Sequence, residues 1–370
     1  MKKVSNPSGE RIAVTKIELP LTPMAATGIG SVPFTDPEEA VSLILEAMPR
    51  MPYWPQMVRL GFREEMTAQA ARGLAALKID EAARTVQVDP DLHRDQALVE
   101  FYEAVLTGEL TPFAMEEQEA RGFFALLRAA AAGQLPCQTL KGQLAGPVTF
   151  AGMVKDREGK AILFDRELTQ AVCLGLARKA AWQARRFRDL RKAPVIFLDE
   201  PFLSGFGSAY LPISREEVLE ILGQTIVELR QAADAPLVVG LHCCGNTDWG
   251  LLLEAPIDLL SFDSYGYFES LQLYGQALVK FFQRGGWLAW GLVPTGEDFR
   301  QETTEGLWLR FTRQVAQLAQ ELKTTSKEIL SRAILTPACG MGYLSPDEAR
   351  RALRILADLS ARGQEWLASM

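Results

Sequence analysis

Short apolar runs alternate with longer, periodic helical patterns through most of the chain. Eight short segments are predicted as strands, and most of them are rich in apolar and β-branched residues and bounded by Gly, Pro or polar residues, which is typical of strands buried on both faces. They lie at residues 24–27, 52–59, 138–144, 194–198, 236–241, 257–263, 287–292 and 333–336. Helical periodicity predicts helices at residues 63–75, 93–107, 116–133, 165–190, 214–232, 268–284, 304–322 and 345–362.

This alternation predicts an α/β protein, a single (β/α)8 TIM barrel that spans residues 1–370 as one domain. No linker interrupts the pattern, and a chain of 370 residues with 48% hydrophobic content is long enough for one large core. Residues 1–20 carry no strong pattern, so we expect an N-terminal arm there. Residues 85–89 have the pattern of a hairpin strand, which predicts a small insertion after the second strand.

Capping residues mark several of the predicted helix starts. Asp36 and Ser345 each precede a proline at the start of a helical pattern, an arrangement typical of an N-cap. After the fifth strand, we expect Asn246 or Thr247 to cap the next helix.

Charge and cysteine content limit the classes of function. A net charge of -7 disfavours a nucleic-acid or anionic-membrane partner. No apolar run approaches the roughly 20 residues that span a bilayer, and the first residues lack the apolar core of a signal peptide. The cysteines number five, which is odd and argues against a disulfide framework. We therefore expect a cytoplasmic protein with reduced thiols.

A histidine and two cysteines, His242, Cys243 and Cys244, follow the fifth strand directly. Side chains alternate in extended chain, so His242 and Cys244 point one way and Cys243 points the other. The whole chain has only 2 histidines, and an imidazole and a thiol together at a strand end predict half of a zinc site. The alternative is a buried histidine beside two structural thiols, because free cysteine is often a small core residue.

Zinc sites need three or four protein ligands, so a further ligand must come from elsewhere in the chain. Cys339 follows the eighth strand and precedes a glycine, whereas Cys137 begins a strand and Cys173 lies in a helical pattern. We predict His242, Cys244 and Cys339 as the ligand set, with the fourth position open or filled by a carboxylate.

Two carboxylates, Asp199 and Glu200, end the fourth strand. Burying them is unfavourable without partners, so they are candidates for binding a cation or an amine and form the candidate catalytic pair; the alternative is that they cap the following loop. In barrels of this type, active sites lie at the carboxyl ends of the strands. The polar residues placed there are Ser31, Asp199, Glu200, His242, Cys244, Asp263 and Cys339. A metal that joins distant strands at this face favours catalysis over a structural role.

A glycine-containing turn, Gly28-Ile29-Gly30, follows the first strand. A dinucleotide-binding fingerprint is one interpretation of it. We set this interpretation aside because the third glycine of the motif is missing and Pro33 lies inside the turn.

The chain resembles the superfamily that joins cobalamin-independent methionine synthase, uroporphyrinogen decarboxylase and the corrinoid-dependent methyltransferases. It looks most like the C-terminal catalytic barrel of cobalamin-independent methionine synthase, over nearly its whole length. The motifs that carry the resemblance are Ile29-Gly30-Ser31, Gly146-Pro147-Val148-Thr149, Asp199-Glu200-Pro201, His242-Cys243-Cys244 and Cys339-Gly340. The specific part is the His-x-Cys with a distant Cys.

The resemblance implies a zinc-dependent methyltransferase that acts on a thiol. The family holds Zn²⁺ with a His, two Cys and a carboxylate, which match His242, Cys244, Cys339 and Asp263; methionine synthase has Glu at the last position. Zinc-bound thiols are deprotonated, whereas a free thiol with a pKa near about 8.5 is mostly protonated at neutral pH. The metal would therefore make the acceptor thiol a nucleophile.

The resemblance also implies how an acceptor is bound. In the family, the Ile-Gly-Ser turn holds the carboxylate of homocysteine and the Asp of Asp-Glu-Pro holds its amine. By resemblance, Ile29 and Ser31 bind the carboxylate and Asp199 binds the amine, and the product is methionine.

The methyl donor is expected to differ from that of the synthase. The chain is too short for the second barrel of methionine synthase, and residues 291–296 contain no histidine where the family has one. We therefore expect a methylated corrinoid, free or on a corrinoid protein, rather than polyglutamyl methylfolate. Pro33, Trp54 and residues 205–207 are expected to frame a mouth that admits this bulky donor.

Three other functions remain open. A decarboxylase of the uroporphyrinogen type would share the fold and need no metal. A coenzyme M methyltransferase would use another thiol, and a docking module for thiols or corrinoid proteins would have no turnover. Metal content, acceptor choice and turnover separate these alternatives.

Overall fold

The structure is a computed structural model that describes residues 20–209 and 211–370. Apart from Pro20, the N-terminal arm expected at residues 1–20 lies outside this part of the chain. The strands of the α/β fold are β1 (Leu77–Asp80), β2 (Thr85–Val88), β3 (Thr139–Ala145), β4 (Ala193–Asp199), β5 (Val238–Cys243), β6 (Leu259–Phe262), β7 (Trp287–Val293) and β8 (Ala333–Pro337). The α-helices are α1 (Pro37–Ala47), α2 (Met66–Ala71), α3 (Arg94–Leu106), α4 (Arg121–Ala131), α5 (Pro147–Met153), α6 (Arg166–Asp189), α7 (Arg215–Ala233), α8 (Trp249–Glu254), α9 (Ser264–Gln272), α10 (Gly275–Gln283), α11 (Thr304–Glu321), α12 (Ser326–Leu330) and α13 (Pro346–Ala368).

One parallel sheet organises the fold, with six strands in the order β3-β4-β5-β6-β7-β8. Each strand pairs with the next one along the chain, and helices connect them, as repeated strand-helix units require. These strands are the third to the eighth of the sequence prediction, which is confirmed for all of them. The sheet is curled, so its inner face encloses a small apolar cluster and its outer face packs against the helices.

The first two predicted strands are not part of this sheet. Ala26 makes a single bridge to β8, and Tyr53 makes a single bridge to β3, so extended chain lies beside both edges of the sheet. Met24 has a φ of 60°, and Pro52 and Pro55 have no N–H to donate, which prevents either segment from forming a regular ladder. Among the described residues, the predicted eight-stranded barrel is therefore present only as six regular strands.

The smaller predicted elements are largely confirmed. The insertion is an antiparallel hairpin of β1 and β2, with Leu77 opposite Val88. The predicted helix at residues 268–284 is instead two helices, because Tyr274 has a non-helical ψ of 36° between α9 and α10. None of the helices in the described part of the chain is long and apolar enough to cross a membrane.

Two of the predicted helix caps are confirmed and one is wrong. Asp36 accepts hydrogen bonds from two backbone N–H groups of α1 at 2.9 and 3.1 Å, and Ser345 opens α13 with a capping box. At α8 the cap is Asp248, not Asn246 or Thr247. A carboxylate at this position also interacts favourably with the positive end of the helix dipole.

Side chains on the inner face of the sheet change from apolar to polar towards the carboxyl ends of the strands. Val195 and Phe197 of β4 lie in the inner apolar cluster, and Asp199 follows them on the same face. Gly240 of β5 leaves space for the Phe197 ring, since a Cβ there would lie 2.5 Å from it. His242 pairs in register with Asp199, so an imidazole and a carboxylate end these two inner rows side by side.

Candidate metal centre

The structure brings together the three ligands that the residues alone predicted. One ligand atom from each of His242, Cys244 and Cys339 lies within 4.8 Å of the other two. His242 lies in β5, Cys244 directly follows that strand, and Cys339 lies just beyond β8. The histidine is buried and both cysteines are partly buried, so the group is sheltered from bulk solvent.

A buried serine orients the imidazole of His242. Ser261 of β6 pairs in register with His242, and its Oγ lies 2.9 Å from Nδ1. The other ring nitrogen, Nε2, is buried and has no hydrogen-bond partner among the described residues. Buried polar atoms without partners are rare, and a donor set of one imidazole nitrogen and two sulfurs fits zinc. The sequence prediction missed Ser261, whose signal is a hydroxyl inside the apolar run 257–263.

The two thiols of the group affect each other's ionisation. The neighbouring Cys244 thiol lowers the pKa of Cys339, with a further contribution from His242 and against the effect of burial. The same pairing, together with burial, raises the pKa of Cys244. Of the two thiols, Cys339 therefore loses its proton more readily, and a cysteine must be deprotonated to bind a metal.

The fourth predicted ligand, Asp263, lies outside this group of ligand atoms. Its carboxylate accepts a hydrogen bond from Gly266 N at 2.8 Å and so caps α9. Burial is the main effect on Asp263 and raises its pKa. The short side chain is held by the helix that it caps, which leaves three protein ligand atoms in the group within the described chain.

Asp199, predicted to bind substrate and to act in catalysis, lies beside His242 at the end of β4. Its Oδ1 is buried and has no hydrogen-bond partner in the part of the chain that the structure describes. Burial raises the pKa of Asp199 to about 6, and the positive charge of Lys141 opposes this effect. A buried carboxylate with one oxygen unused is suited to accept a hydrogen bond from a ligand.

Glu200, predicted as the second catalytic carboxylate, is bonded to the start of α5. Its Oε1 accepts from Val148 N at 2.9 Å and its Oε2 from Thr149 N at 2.7 Å. The side chain is fully buried, and burial raises its pKa to about 7 despite these bonds. These contacts match the alternative of a capping role, although the capped element is α5 rather than the following loop.

Replacing Glu200 with Gln should lower the free energy of unfolding by about 1 to 3 kcal/mol, because one buried N–H of α5 loses its acceptor. Zinc content should not change. Denaturant unfolding at pH 6, below the raised pKa of Glu200, measures this effect, because at higher pH the unfavourable ionisation of the buried carboxyl group would oppose it. Glu220→Gln, an exposed substitution on α7, is the matched control. A Glu200→Gln protein as stable as the control but inactive would return Glu200 to the catalytic group.

The turn formed by residues 29–31 is attached to the loop that carries Cys339. The Ser31 Oγ accepts from Gly342 N at 3.3 Å, and the Ser31 carbonyl accepts from Met341 N at 2.8 Å. Gly340 must lack a side chain, since a Cβ there would lie 2.1 Å from the Ser31 Oγ. The predicted acceptor-binding turn therefore lies next to the candidate metal group.

The carbonyl groups of this turn are hydrogen-bonded, whereas its N–H groups are not. The carbonyls of residues 29–31 all accept hydrogen bonds, in order from Lys141 Nζ, Gln56 N and Met341 N. The N–H groups of residues 28–31 donate to no acceptor among the described residues. These N–H groups are therefore available as hydrogen-bond donors to a ligand.

The expected frame of the mouth is only partly present. Trp54 is fully buried, and its Nε1 donates to Gln183 Oε1 on α6 at 3.0 Å. Pro33 is buried as well, whereas residues 205–207 are partly exposed. The sequence prediction missed Tyr343, which follows Cys339 in the same loop and is 97% exposed.

Two proteins of known structure have a fold related to this one. No protein-family model and no curated protein sequence matches the chain. A B12-independent methionine synthase from Shewanella sp. W3-18-1, in complex with selenomethionine, matches with a TM-score of 0.58 and 13% identity, covering 94% of this chain and 100% of that chain. A methyltransferase from Methanosarcina mazei matches with a TM-score of 0.52 and 11% identity, covering 91% of this chain and 94% of that chain. The protein thus has a fold related to that of a methionine synthase and of a methyltransferase.

Proposed function

We propose that this protein is a zinc-dependent methyltransferase that moves a methyl group from a methylated corrinoid, free or on a corrinoid protein, to the thiol of homocysteine. The observation that carries the proposal is the group of His242, Cys244 and Cys339, with its unused Nε2. We further infer that residues 24–27 and 52–59 complete a (β/α)8 barrel. The protein would then be a distant relative of cobalamin-independent methionine synthase.

Zinc suits this group because one nitrogen and two sulfurs are the ligands of many tetrahedral zinc sites. Zinc held by His242, Cys244 and Cys339 would supply a Lewis acid that keeps an acceptor thiol deprotonated at neutral pH. Ser261 holds Nδ1 and so presents Nε2 to the other two ligands. A site with three protein ligands keeps a position for a substrate, as catalytic zinc sites do.

An amino-acid thiol matches the polar groups around the candidate metal site. The free N–H groups of residues 28–31 suit a carboxylate, and the unused Oδ1 of Asp199 suits an ammonium group. Homocysteine carries both groups and a thiol. An acceptor with an acidic group and no amine, such as coenzyme M, would use the turn alone.

Methylation of homocysteine should depend on zinc. We expect zinc-loaded protein to form methionine from homocysteine and methylcobalamin, and chelator-treated protein to form none until zinc is returned. Product formation is measured by mass spectrometry. Equal rates with and without zinc would contradict the proposal, and methylation of coenzyme M but not of homocysteine would change the acceptor.

A further inference from the structure

A lysine is buried in the inner face of the sheet, below the turn of residues 28–31. Lys141 of β3 is fully buried, and its Nζ lies 4.6 Å from the centroid of the Phe197 ring. Burying an ammonium group is unfavourable unless it has partners, and an apolar residue would fill the same volume. Packing therefore does not account for a lysine at this position.

The contacts of Lys141 are to the turn and to its support. Its Nζ donates to the carbonyl of Ile29 and to Gln143 Oε1, the latter at 3.1 Å. Gln143 also supports the turn directly, because a Cβ on Gly30 would lie 3.0 Å from Gln143 Cγ. Lys141 and Gln143 thus hold the turn from inside the sheet.

Fixing the Ile29 carbonyl also fixes the next N–H group. In a trans peptide, the C=O of one residue and the N–H of the following residue point in opposite directions. With the Ile29 carbonyl directed at Lys141, the Gly30 N–H is directed away from it, and it has no acceptor among the described residues. The lysine therefore orients one available donor of the turn without occupying it.

The charge of Lys141 acts in the same direction. Burial lowers the pKa of Lys141 to about 7, and the negative charge of Asp199 opposes this effect, so each group favours the charged form of the other near the candidate metal site. A zwitterionic acceptor matches this arrangement, with its carboxylate towards the turn and its ammonium towards Asp199.

We propose that Lys141 is a positioning residue that makes the turn of residues 28–31 select acceptors with a carboxylate. Its ammonium group holds the Ile29 carbonyl, orients the free N–H groups and places positive charge behind them. The proposal rests on the proposed function and names the chemical class of its acceptor.

The test compares three thiols that differ by one group. Homocysteine has both head groups, 4-mercaptobutanoate lacks the amine, and 3-aminopropanethiol lacks the carboxylate. Binding to the zinc-loaded full-length protein is measured by calorimetry. In Lys141→Met, the Kd of the two thiols with a carboxylate should rise about tenfold, the effect of losing one hydrogen bond. The Kd of 3-aminopropanethiol should rise less, because this thiol has no carboxylate for the turn and is affected only through the loss of the Lys141 charge near Asp199.

Two matched variants serve as controls. Lys179 is also fully buried and donates to a backbone carbonyl, that of Phe113 at 3.2 Å, but lies on α6. Lys179→Met should lose stability without changing any of the three Kd values. Asp199→Asn should give the converse pattern, weakening homocysteine and 3-aminopropanethiol but not 4-mercaptobutanoate.

The outcomes separate this proposal from the proposed function. Equal weakening of all three thiols in Lys141→Met, or no weakening, would overturn the role of Lys141 while thiol binding by the wild type persists. L-Norleucine, an amino acid without sulfur, tests recognition of the carboxylate and ammonium groups without a thiol. If the wild type binds norleucine but none of the thiols, and Lys141→Met weakens norleucine binding, the role of Lys141 holds and the proposed function fails. Lys141→Gln, which keeps a neutral donor, gives the same comparison if the Met variant does not fold.

Discussion

Cys339→Ser is expected to strip zinc from the protein while leaving it folded. The wild type should hold about one zinc per chain. The serine hydroxyl is not ionised at neutral pH, so zinc affinity should fall by about 100-fold or more, at least as much as the loss of an outer-shell partner. The fold should persist because Cys339 is partly exposed in a loop after β8, outside the apolar clusters. Elemental analysis and thermal unfolding measure the two effects.

Two variants control for the loss of a thiol or of a nearby carboxylate. Cys137 is buried before β3 and belongs to the core, so Cys137→Ser should keep its zinc even if it is less stable. Asp263→Asn should also keep its zinc, because Asp263 caps α9 and lies outside the group of ligand atoms. Full zinc occupancy in Cys339→Ser would remove Cys339 from the ligand set, and loss of zinc in Asp263→Asn would make Asp263 the fourth ligand.

A methylated corrinoid should support turnover, whereas methyltetrahydrofolate should not. A folate donor leaves through a tertiary amine nitrogen that must gain a proton, whereas a corrinoid leaves as cobalt(I) and needs none. His242 already serves as a ligand candidate, and residues 291–296 at the end of β7 contain no histidine to act as the acid. Both carboxylate oxygens of Glu200 accept backbone hydrogen bonds, and Asp199 is assigned to the ammonium group of the acceptor in the proposed function, so neither is free for this role.

The donor test uses one acceptor and one protein preparation. Zinc-loaded protein and homocysteine are incubated with methylcobalamin, with a methylated corrinoid protein, or with methyltetrahydrofolate, and methionine is measured. We expect a higher rate with the corrinoid protein than with free methylcobalamin, since a protein partner can present the methyl group in the right orientation. Turnover with methyltetrahydrofolate alone would place the protein in the ordinary folate-dependent class.

Local patterns in the sequence determined most of the regular structure. The bounds of β3 to β8 differ from the predicted ones by no more than two residues, and those of α3, α6, α7 and α11 by one residue. These signals lie in neighbouring residues: apolar runs, helical periodicity and capping side chains. The first two predicted strands are not regular strands in the structure, because Met24, Pro52 and Pro55 interrupt the hydrogen-bond ladder. The apolar pattern of both segments is nevertheless that of a strand.

The proximity of His242, Cys244 and Cys339 could also be predicted, because the carboxyl ends of parallel strands meet at one edge of a sheet. The hydrogen-bond partners of the other polar residues could not be predicted in this way. Glu200 accepts hydrogen bonds from N–H groups of α5, and Asp263 accepts one from α9. Both pairings depend on the position of each helix start in the folded protein.

Only the tertiary structure showed Lys141 and Ser261 as parts of the site. Ser261 lies within an apolar strand pattern and Lys141 within a mixed one, and neither pattern indicates the partner of the polar side chain. Their partners, the Ile29 carbonyl and the His242 imidazole, come from distant segments. Local patterns and strand order are enough to predict which elements form and which strands carry ligands. Which buried polar groups meet was decided by packing between elements, since a hydrogen bond needs atoms within about 3 Å and no local pattern specifies that distance.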